Sequence, residues 1–140
     1  MAATETITVH GHEHVKATHE STVEFTSDDW LTPAGDCILG IEADIVPADF
    51  DPAVVSAAQS ADAAIMIPVA VGEYSQTIAG RGDPALTFDD DRSMVVRTST
   101  YTDDRTVMVD ADAAAADIDR ELVAALADGA TATIEFRVST

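Results

Sequence analysis

Apolar and polar residues alternate along four short stretches of the chain, which is the pattern of a half-buried β-strand. Two further segments, 52–59 and 120–128, carry apolar residues at helical spacing. Asp51 and Asp119 precede these segments, and an aspartate in that position can accept the free amide hydrogens of a first helical turn. The four alternating stretches are 38–42, 65–69, 106–110 and 134–138. The pattern therefore predicts a mainly β, α+β fold with two short helices.

The same order of elements occurs twice, which predicts an internal duplication. Segment 43–51 recurs as 111–119 with alanine or aspartate at the same five places. Aligning 36–57 with 104–125 gives 8 identities in 22 positions. Each unit reads as strand, strand, strand, helix, strand. We expect the first repeat to span about 5–71 and the second about 73–140, within a single domain of residues 1–140.

The size of each repeat predicts that the two repeats share a core. The copies are offset by 68 residues, and so short a unit buries too little surface to cover a sheet face by itself. We therefore expect one common core around a pseudo-two-fold axis, with one short helix per repeat outside the strands. This predicts either a β-barrel of interlaced halves or a jelly-roll-like β-sandwich, and periodicity does not choose between them.

Acidic residues dominate the charge. The chain has 26 Asp and Glu against 7 Lys and Arg, a net charge of −19. Such a charge opposes the compact state at ordinary ionic strength, whereas at about 1 M salt the Debye length falls to roughly 3 Å. We therefore expect a haloarchaeal protein that folds in molar salt. A disordered acidic chain is excluded because 46% of the residues are hydrophobic and they are periodic.

The cellular setting predicted from the sequence is the cytoplasm, without membrane attachment. Cys37 is the single cysteine, so no internal disulfide can form. No stretch of about 18 apolar residues is present, and residues 1–8 lack the apolar core of a signal peptide. Acidity of this kind is typical of a whole proteome, so it argues only weakly against binding of nucleic acid.

The histidines form the most unusual local pattern, because all four lie within ten residues, beside the only lysine. If residues 10–14 are extended, three of the imidazoles project from one face of a strand. They could then hold a divalent transition metal, with a carboxylate or Cys37 completing the shell. The alternatives are histidines that face solvent or form hydrogen bonds, and a catalytic histidine without metal. The four histidines are His10, His12, His14 and His19.

Positions where the two repeats differ provide the candidate binding site. Cys37 aligns with Arg105 across the repeats, and the histidines of the first repeat have no histidine counterpart in the second. A cleft on the pseudo-axis would suit a small anionic ligand, because arginine pairs with its charge and histidine or aspartate can move a proton. The predicted ligand-binding residues are His12, His19, Asp36, Cys37 and Arg105.

Other classes of function stay open on sequence grounds. A metal-dependent hydrolase or nuclease would use the same histidines. An RNA- or protein-interaction module would use the retained arginines. Cys37 could act as a nucleophile only with a nearby base and a lowered pKa, and a cysteine beside apolar residues is more often a buried small hydrophobe. The sequence decides neither enzymatic activity nor oligomeric state. The arginines concerned are Arg81, Arg92, Arg97 and Arg105.

Three segments together resemble the DUF371 family of uncharacterised archaeal proteins: 11–19 (GHEHVKATH), 31–40 (LTPAGDCILG) and 80–87 (GRGDPALT). The resemblance extends over nearly the whole chain. It implies a mainly β domain, and it lends no catalytic residues because the family has no established activity. The family pattern has asparagine at the place of His14 and does not include His10. The resemblance therefore favours His12 and His19 among the histidines.

Overall fold

The computed structural model describes residues 2–140, and these form a mainly β, α+β fold. Two single-turn 3-10 helices, Pro47–Asp49 and Ala115–Asp117, precede the two α-helices of this range. The elements in chain order are β1 Ala2–His10, β2 Thr22–Thr26, β3 Ile38–Gly40, α1 Pro52–Ala58, β4 Ala64–Val71, β5 Tyr74–Arg81, β6 Ser93–Arg97, β7 Thr106–Met108, α2 Arg120–Ala127 and β8 Thr131–Ser139. Both predicted helices are present, each one residue shorter at its C-terminal end.

The strands form two four-stranded sheets. Sheet A has the order β1-β8-β4-β5 and is antiparallel throughout. Sheet B has the order β3-β2-β6-β7, with β2 and β6 antiparallel in the centre and the short outer strands parallel to them. The sheet edges meet only at two isolated bridges, His10–Ile41 and Arg81–Val109. A closed barrel, one of the two predicted architectures, is therefore wrong, because three-residue edge strands do not extend these bridges into ladders.

The core is apolar and draws on both helices and both sheets. Alternate residues of β4 and β8 are buried, as the sequence alternation predicts. Phe136 of β8 is 1% exposed and packs against Phe50 and Phe88, with ring centroids 5.3 and 5.9 Å away. The helices bury Val54, Ala58, Leu122 and Leu126 in the same core. Within residues 2–140, neither helix is long and apolar enough to cross a membrane.

Equivalent hydrogen bonds occur in the two halves of the chain. The amide of Thr8 donates to Asp44 Oδ1 at 2.8 Å, and the amide of Ala79 donates to Asp112 Oδ1 at 2.9 Å. These two aspartates, which occupy the same place in both halves, thus hold turns against neighbouring strands. The two helix caps predicted from the sequence are also present, at Asp51 and Asp119.

Each helix ends against a strand end from the other half. A Cβ atom built on Gly11, just after β1, would lie 2.0 Å from the carbonyl oxygen of Leu126 in α2. A Cβ atom on Gly82, just after β5, would lie 2.0 Å from the carbonyl oxygen of Ala58 in α1. Only glycine permits this approach, so the contact between the halves depends on these two positions.

Candidate functional site

Polar side chains line the outer face of sheet B. Along β2, Glu24 and Thr26 alternate with Val23 and Phe25, which are buried in the core. Arg97 occupies an outer position on the neighbouring strand β6. We call the outer side of β2 and β6 the polar face. Loops 27–37 and 98–105 contact the polar face, where Cys37 donates to Glu24 and Arg97 donates to Asp103.

A cleft of about 440 Å³ opens on the polar face. This volume lies within the range of about 300–1,000 Å³ that is usual for small-molecule sites. Both halves of the chain contribute to the lining. The first half supplies an apolar wall that includes Trp30, Leu31 and Ile38, together with Glu24, and the second half supplies polar and charged groups. The polar lining from the second half is Asp90, Arg92, Ser93 and Arg105.

Arg92 is held in place at one end of the cleft. Its Nε and Nη2 donate to the two carboxylate oxygens of Asp28 at 2.8 and 2.9 Å. These hydrogen bonds hold the pKa of Asp28 below its usual range, although burial acts to raise it. The guanidinium carbon also lies 6.0 Å from the ring centroid of Trp30. Arg92 and Asp28 therefore neutralise each other.

Arg105 makes weaker contacts with carboxylates than Arg92 does. Its Nη1 lies 4.0 Å from Glu24 Oε1, and its Nη2 donates to Asp103 Oδ2 at 3.4 Å. Both distances exceed those of strong charge-assisted hydrogen bonds, about 2.7–2.9 Å. The Arg105 side chain is 44% exposed, whereas Glu24 is 15% exposed. The cleft thus contains a guanidinium with N–H groups that are free to bind a ligand, close to a largely buried carboxylate.

Cys37 lies beside the same carboxylate. Its Sγ donates to Glu24 Oε1 at 3.6 Å. The two residues are adjacent because β2 and β3 are parallel neighbours, and the Glu24 amide donates to the Cys37 carbonyl. Burial, followed by the charge of Glu24, raises the pKa of the Cys37 thiol to about 11. The thiol is therefore protonated near neutral pH. These surroundings are opposite to those that activate a nucleophilic cysteine.

The second half has an arginine, Arg97, where the first half has Thr26. The amide of Ala43 donates to the Thr26 carbonyl and that of Ala111 to the Arg97 carbonyl, so Arg97 is the counterpart of Thr26. Its Nη2 donates to Asp103 Oδ2 at 3.0 Å, and its side chain is 12% exposed. Burial acts to raise the pKa of Asp103, but the Arg105 amide, the Thr106 hydroxyl and both guanidiniums together hold it below its usual range.

The structure brings some predicted ligand-binding residues together and separates others. Arg105 and Cys37 both contact Glu24. The backbone carbonyl of Asp36 accepts the amide of His19 at 3.2 Å. His19 Nδ1 in turn accepts the amides of Ser21 and Thr22, which places its ring at the start of β2. His12 contacts a different group, because its Nδ1 accepts the amide of His14 at 3.0 Å.

The extended three-histidine strand is wrong. Strand β1 ends at His10, and the chain then turns, with the Val15 amide donating to the His12 carbonyl at 2.9 Å. His10 Nδ1 lies 3.1 Å from the hydroxyl of Thr131 on the neighbouring strand. Across residues 2–140, no three His, Cys, Asp or Glu side chains are arranged to hold a metal ion.

Glu24 was missed by the sequence reasoning. It stands between Val23 and Phe25, so the alternation marked it as the outward residue of a strand. It has no counterpart in the second half, where the pairing partner of Glu24 across the sheet, Val95, occupies the equivalent place. Divergence between the repeats, the criterion that selected Cys37 and Arg105, would have selected Glu24 too.

The fold and the cleft define a two-sheet, mainly β protein with a polar cleft to which both halves contribute. Residues 7–139 match the family model described as Domain of unknown function (DUF371). The chain belongs to this family, and the predicted resemblance is confirmed. It is also 40% identical over 119 residues to an uncharacterised protein of the archaeon Methanocaldococcus jannaschii, an alignment that covers 85% of this chain and 87% of that protein.

Proposed function

We propose that the protein binds a small anionic ligand in the cleft between its two halves, with Arg105 as the principal anchor. The observation that carries the proposal is the weak engagement of Arg105, whose nearest carboxylate contacts are 3.4 and 4.0 Å long. A phosphate or carboxylate group would provide the short, paired acceptors that this guanidinium lacks.

The other charged groups of the cleft narrow the ligand class. Arg92 and Asp28 are paired with each other. Asp90 Oδ2 accepts the amides of Arg92 and Ser93 at 3.0 and 2.7 Å, so it holds the turn before β6. Glu24 has an oxygen without such partners and lies near Arg105. We expect a ligand that combines an anionic group with a neighbouring N–H or O–H donor, as hydroxy acids, amino acids and sugar phosphates do.

Trp30 provides a direct test. It is the only tryptophan of the chain and it lines the cleft, so its fluorescence reports on ligand binding there. We would titrate inorganic phosphate, small hydroxy and amino acids, and sugar phosphates in high KCl. At least one probe should give a saturable change. Arg105→Gln should weaken that binding at least tenfold, and Arg137→Gln, which lies on sheet A, should leave it unchanged.

Two results would overturn the proposal. One is the absence of a saturable signal with every anion of the panel. The other is equal affinity of the wild-type protein and the Arg105→Gln variant. Glu24→Gln tests the second group of the site: it should weaken hydroxy or amino acids more than it weakens sulfate, because sulfate carries no proton near neutral pH and offers no donor to the carboxylate.

The two alternative functions have less support. A metal-dependent hydrolase or nuclease that uses the histidines would need several metal ligands together, and the part of the chain from 2 to 140 contains no group of three His, Cys, Asp or Glu side chains that could hold a metal ion. An RNA- or protein-interaction module would need free arginines, but Arg81, Arg92 and Arg97 are each paired with a carboxylate within 3.0 Å.

We also propose that the two halves arose by internal duplication and that the protein works in a haloarchaeal cytoplasm. The first part is supported by the equal order of elements and by the equivalent hydrogen bonds of the two halves. The second is supported by the net charge of −19. The duplication explains why the cleft lies at the junction of the two halves: the duplicated scaffold is retained, and the charges on the polar face have diverged.

A further inference from the structure

The outer face of sheet A is nearly free of the acidic residues that dominate the chain. This face consists of the outward-pointing residues of β1, β8, β4 and β5, and we call it the neutral face. Glu135 is its only carboxylate, and it is paired with Arg137 on the same strand. With 26 acidic residues in 140 positions, an average surface of this extent would carry at least three. The neutral face therefore lacks the charge that covers the rest of the molecule.

The central strand β4 presents an apolar stripe on this face: Ala64, Met66, Pro68 and Ala70. Met66 is 42% exposed and is one of three exposed large apolar side chains among the described residues. Alanine and proline are poor strand formers, so strand propensity does not explain them. The pairing of β4 with β8 is also interrupted at Pro68, as expected for a residue without an amide hydrogen. An apolar centre with threonine and serine around it has the anatomy of a protein interface.

We propose that the neutral face is the contact between two copies of this chain. The net charge indicates that the partner on this face is a second copy of the chain. Two molecules of −19 repel each other over most of their surfaces, and the neutral face is where they can approach without opposing carboxylates. The face is also self-complementary, because a two-fold axis in its plane can set Glu135 of one copy against Arg137 of the other.

The size of the neutral face is sufficient for a modest dimer. The face is about 19 Å wide, because it has four strands about 4.8 Å apart, and about 26 Å long, because each strand has roughly eight residues with a rise of about 3.3 Å. Two such faces bury on the order of 1,000 Å² in total, which is the lower limit for a specific interface. The expected association is therefore concentration dependent and strengthened by salt, which screens the net charge of each copy.

Sedimentation of the full chain across concentration and KCl tests the proposal. The wild-type protein should dimerise, and Met66→Asp should raise the dissociation constant at least tenfold. Ala61→Asp, in an exposed turn after α1, adds the same charge elsewhere and should change the constant less than twofold. Far-UV circular dichroism verifies that the variants fold. A wild-type protein that stays monomeric at millimolar concentration, or a Met66→Asp variant that dimerises normally, would overturn the proposal.

A charge exchange tests the symmetric pairing. Glu135→Arg alone and Arg137→Glu alone should each weaken self-association, because each places like charges across the axis. A mixture of the two variants should form a heterodimer at least as tight as the wild-type dimer, since both cross-axis pairs are then opposite in sign. Two variants that fail to combine would refute this pairing, and association of either single variant at wild-type strength would refute it as well.

Discussion

Replacement of Arg97 by methionine should destabilise the protein substantially, although Arg97 lies outside the apolar core. Methionine keeps most of the aliphatic packing and removes the guanidinium. Three contacts are then lost: the hydrogen bond from Nε to Thr106 Oγ1 at 2.8 Å, the hydrogen bond to Asp103 at 3.0 Å, and the stacking of the guanidinium carbon 4.8 Å from the ring centroid of Tyr101.

The size of the loss in stability depends on the hydrogen bonds that Asp103 keeps in the variant. A hydrogen bond to a charged group contributes about 1.5–3 kcal/mol, and a partly exposed cation–π contact contributes about 0.5–1 kcal/mol. Asp103 still accepts hydrogen bonds from the Arg105 amide and from the Thr106 hydroxyl. The full penalty of about 3–5 kcal/mol for an unpaired buried charge therefore does not apply. We expect a loss of about 2–3 kcal/mol, which lowers the Tm by about 5–10 °C for a chain of this size.

Urea denaturation at constant KCl measures the loss, with Arg137→Met as the matched control. Arg137 is 52% exposed and pairs with Glu135 two residues away, so its replacement should cost less than about 0.5 kcal/mol. The pKa of Asp103 is lower in the folded protein than its ordinary value of 3.8. Its pairing therefore stabilises the fold above pH 3.8, and this contribution is lost as the pH falls through the lowered pKa. Equal stability of Arg97→Met and Arg137→Met at neutral pH would refute the reasoning.

Two further predictions concern Gly82 and Cys37. Gly82→Ala should destabilise the protein by about 3 kcal/mol or more, because its Cβ would lie 2.0 Å from the Ala58 carbonyl oxygen. The control is Gly72→Ala, in open space with a φ of 60°, which should cost only about 1–2 kcal/mol. Urea denaturation compares the free energies of unfolding of the two variants. With a pKa of about 11 instead of 9.0, Cys37 should react with iodoacetamide at pH 8 about a hundredfold more slowly than an unperturbed thiol. Glu24→Gln should accelerate the reaction, and a wild-type rate equal to that of a free thiol would contradict the raised pKa.

The local elements of the fold could be predicted from the sequence, and the way they assemble could not. Alternation and the two aspartate caps located both helices and four of the eight strands, because these signals arise from neighbouring residues. The order of sheet A depends on pairing between distant segments: β8 inserts between β1 and β4. No local pattern specifies that insertion, so the sequence left barrel and sandwich open.

The candidate site shows the same division. Alignment of the repeats paired Cys37 with Arg105, and both contact Glu24 because β2 and β6 lie side by side at the centre of sheet B. The histidine hypothesis assumed that β1 continues past His10. The strand instead ends at His10, the chain turns at 13–14, and the close packing of Gly11 against α2 is a tertiary contact that leaves no trace in hydrophobic periodicity.

The position of β1 at the edge of sheet A has a consequence for biosynthesis. Its ladder partner is β8, and the register joins Ala2–His10 to Thr131–Ser139 along their whole lengths. β1 therefore cannot pair until β8 has been synthesised, and 121 residues separate His10 from Thr131. Until then, the unpaired edge of β1 is open to other chains, so a deletion that removes β8 should leave a polypeptide that aggregates.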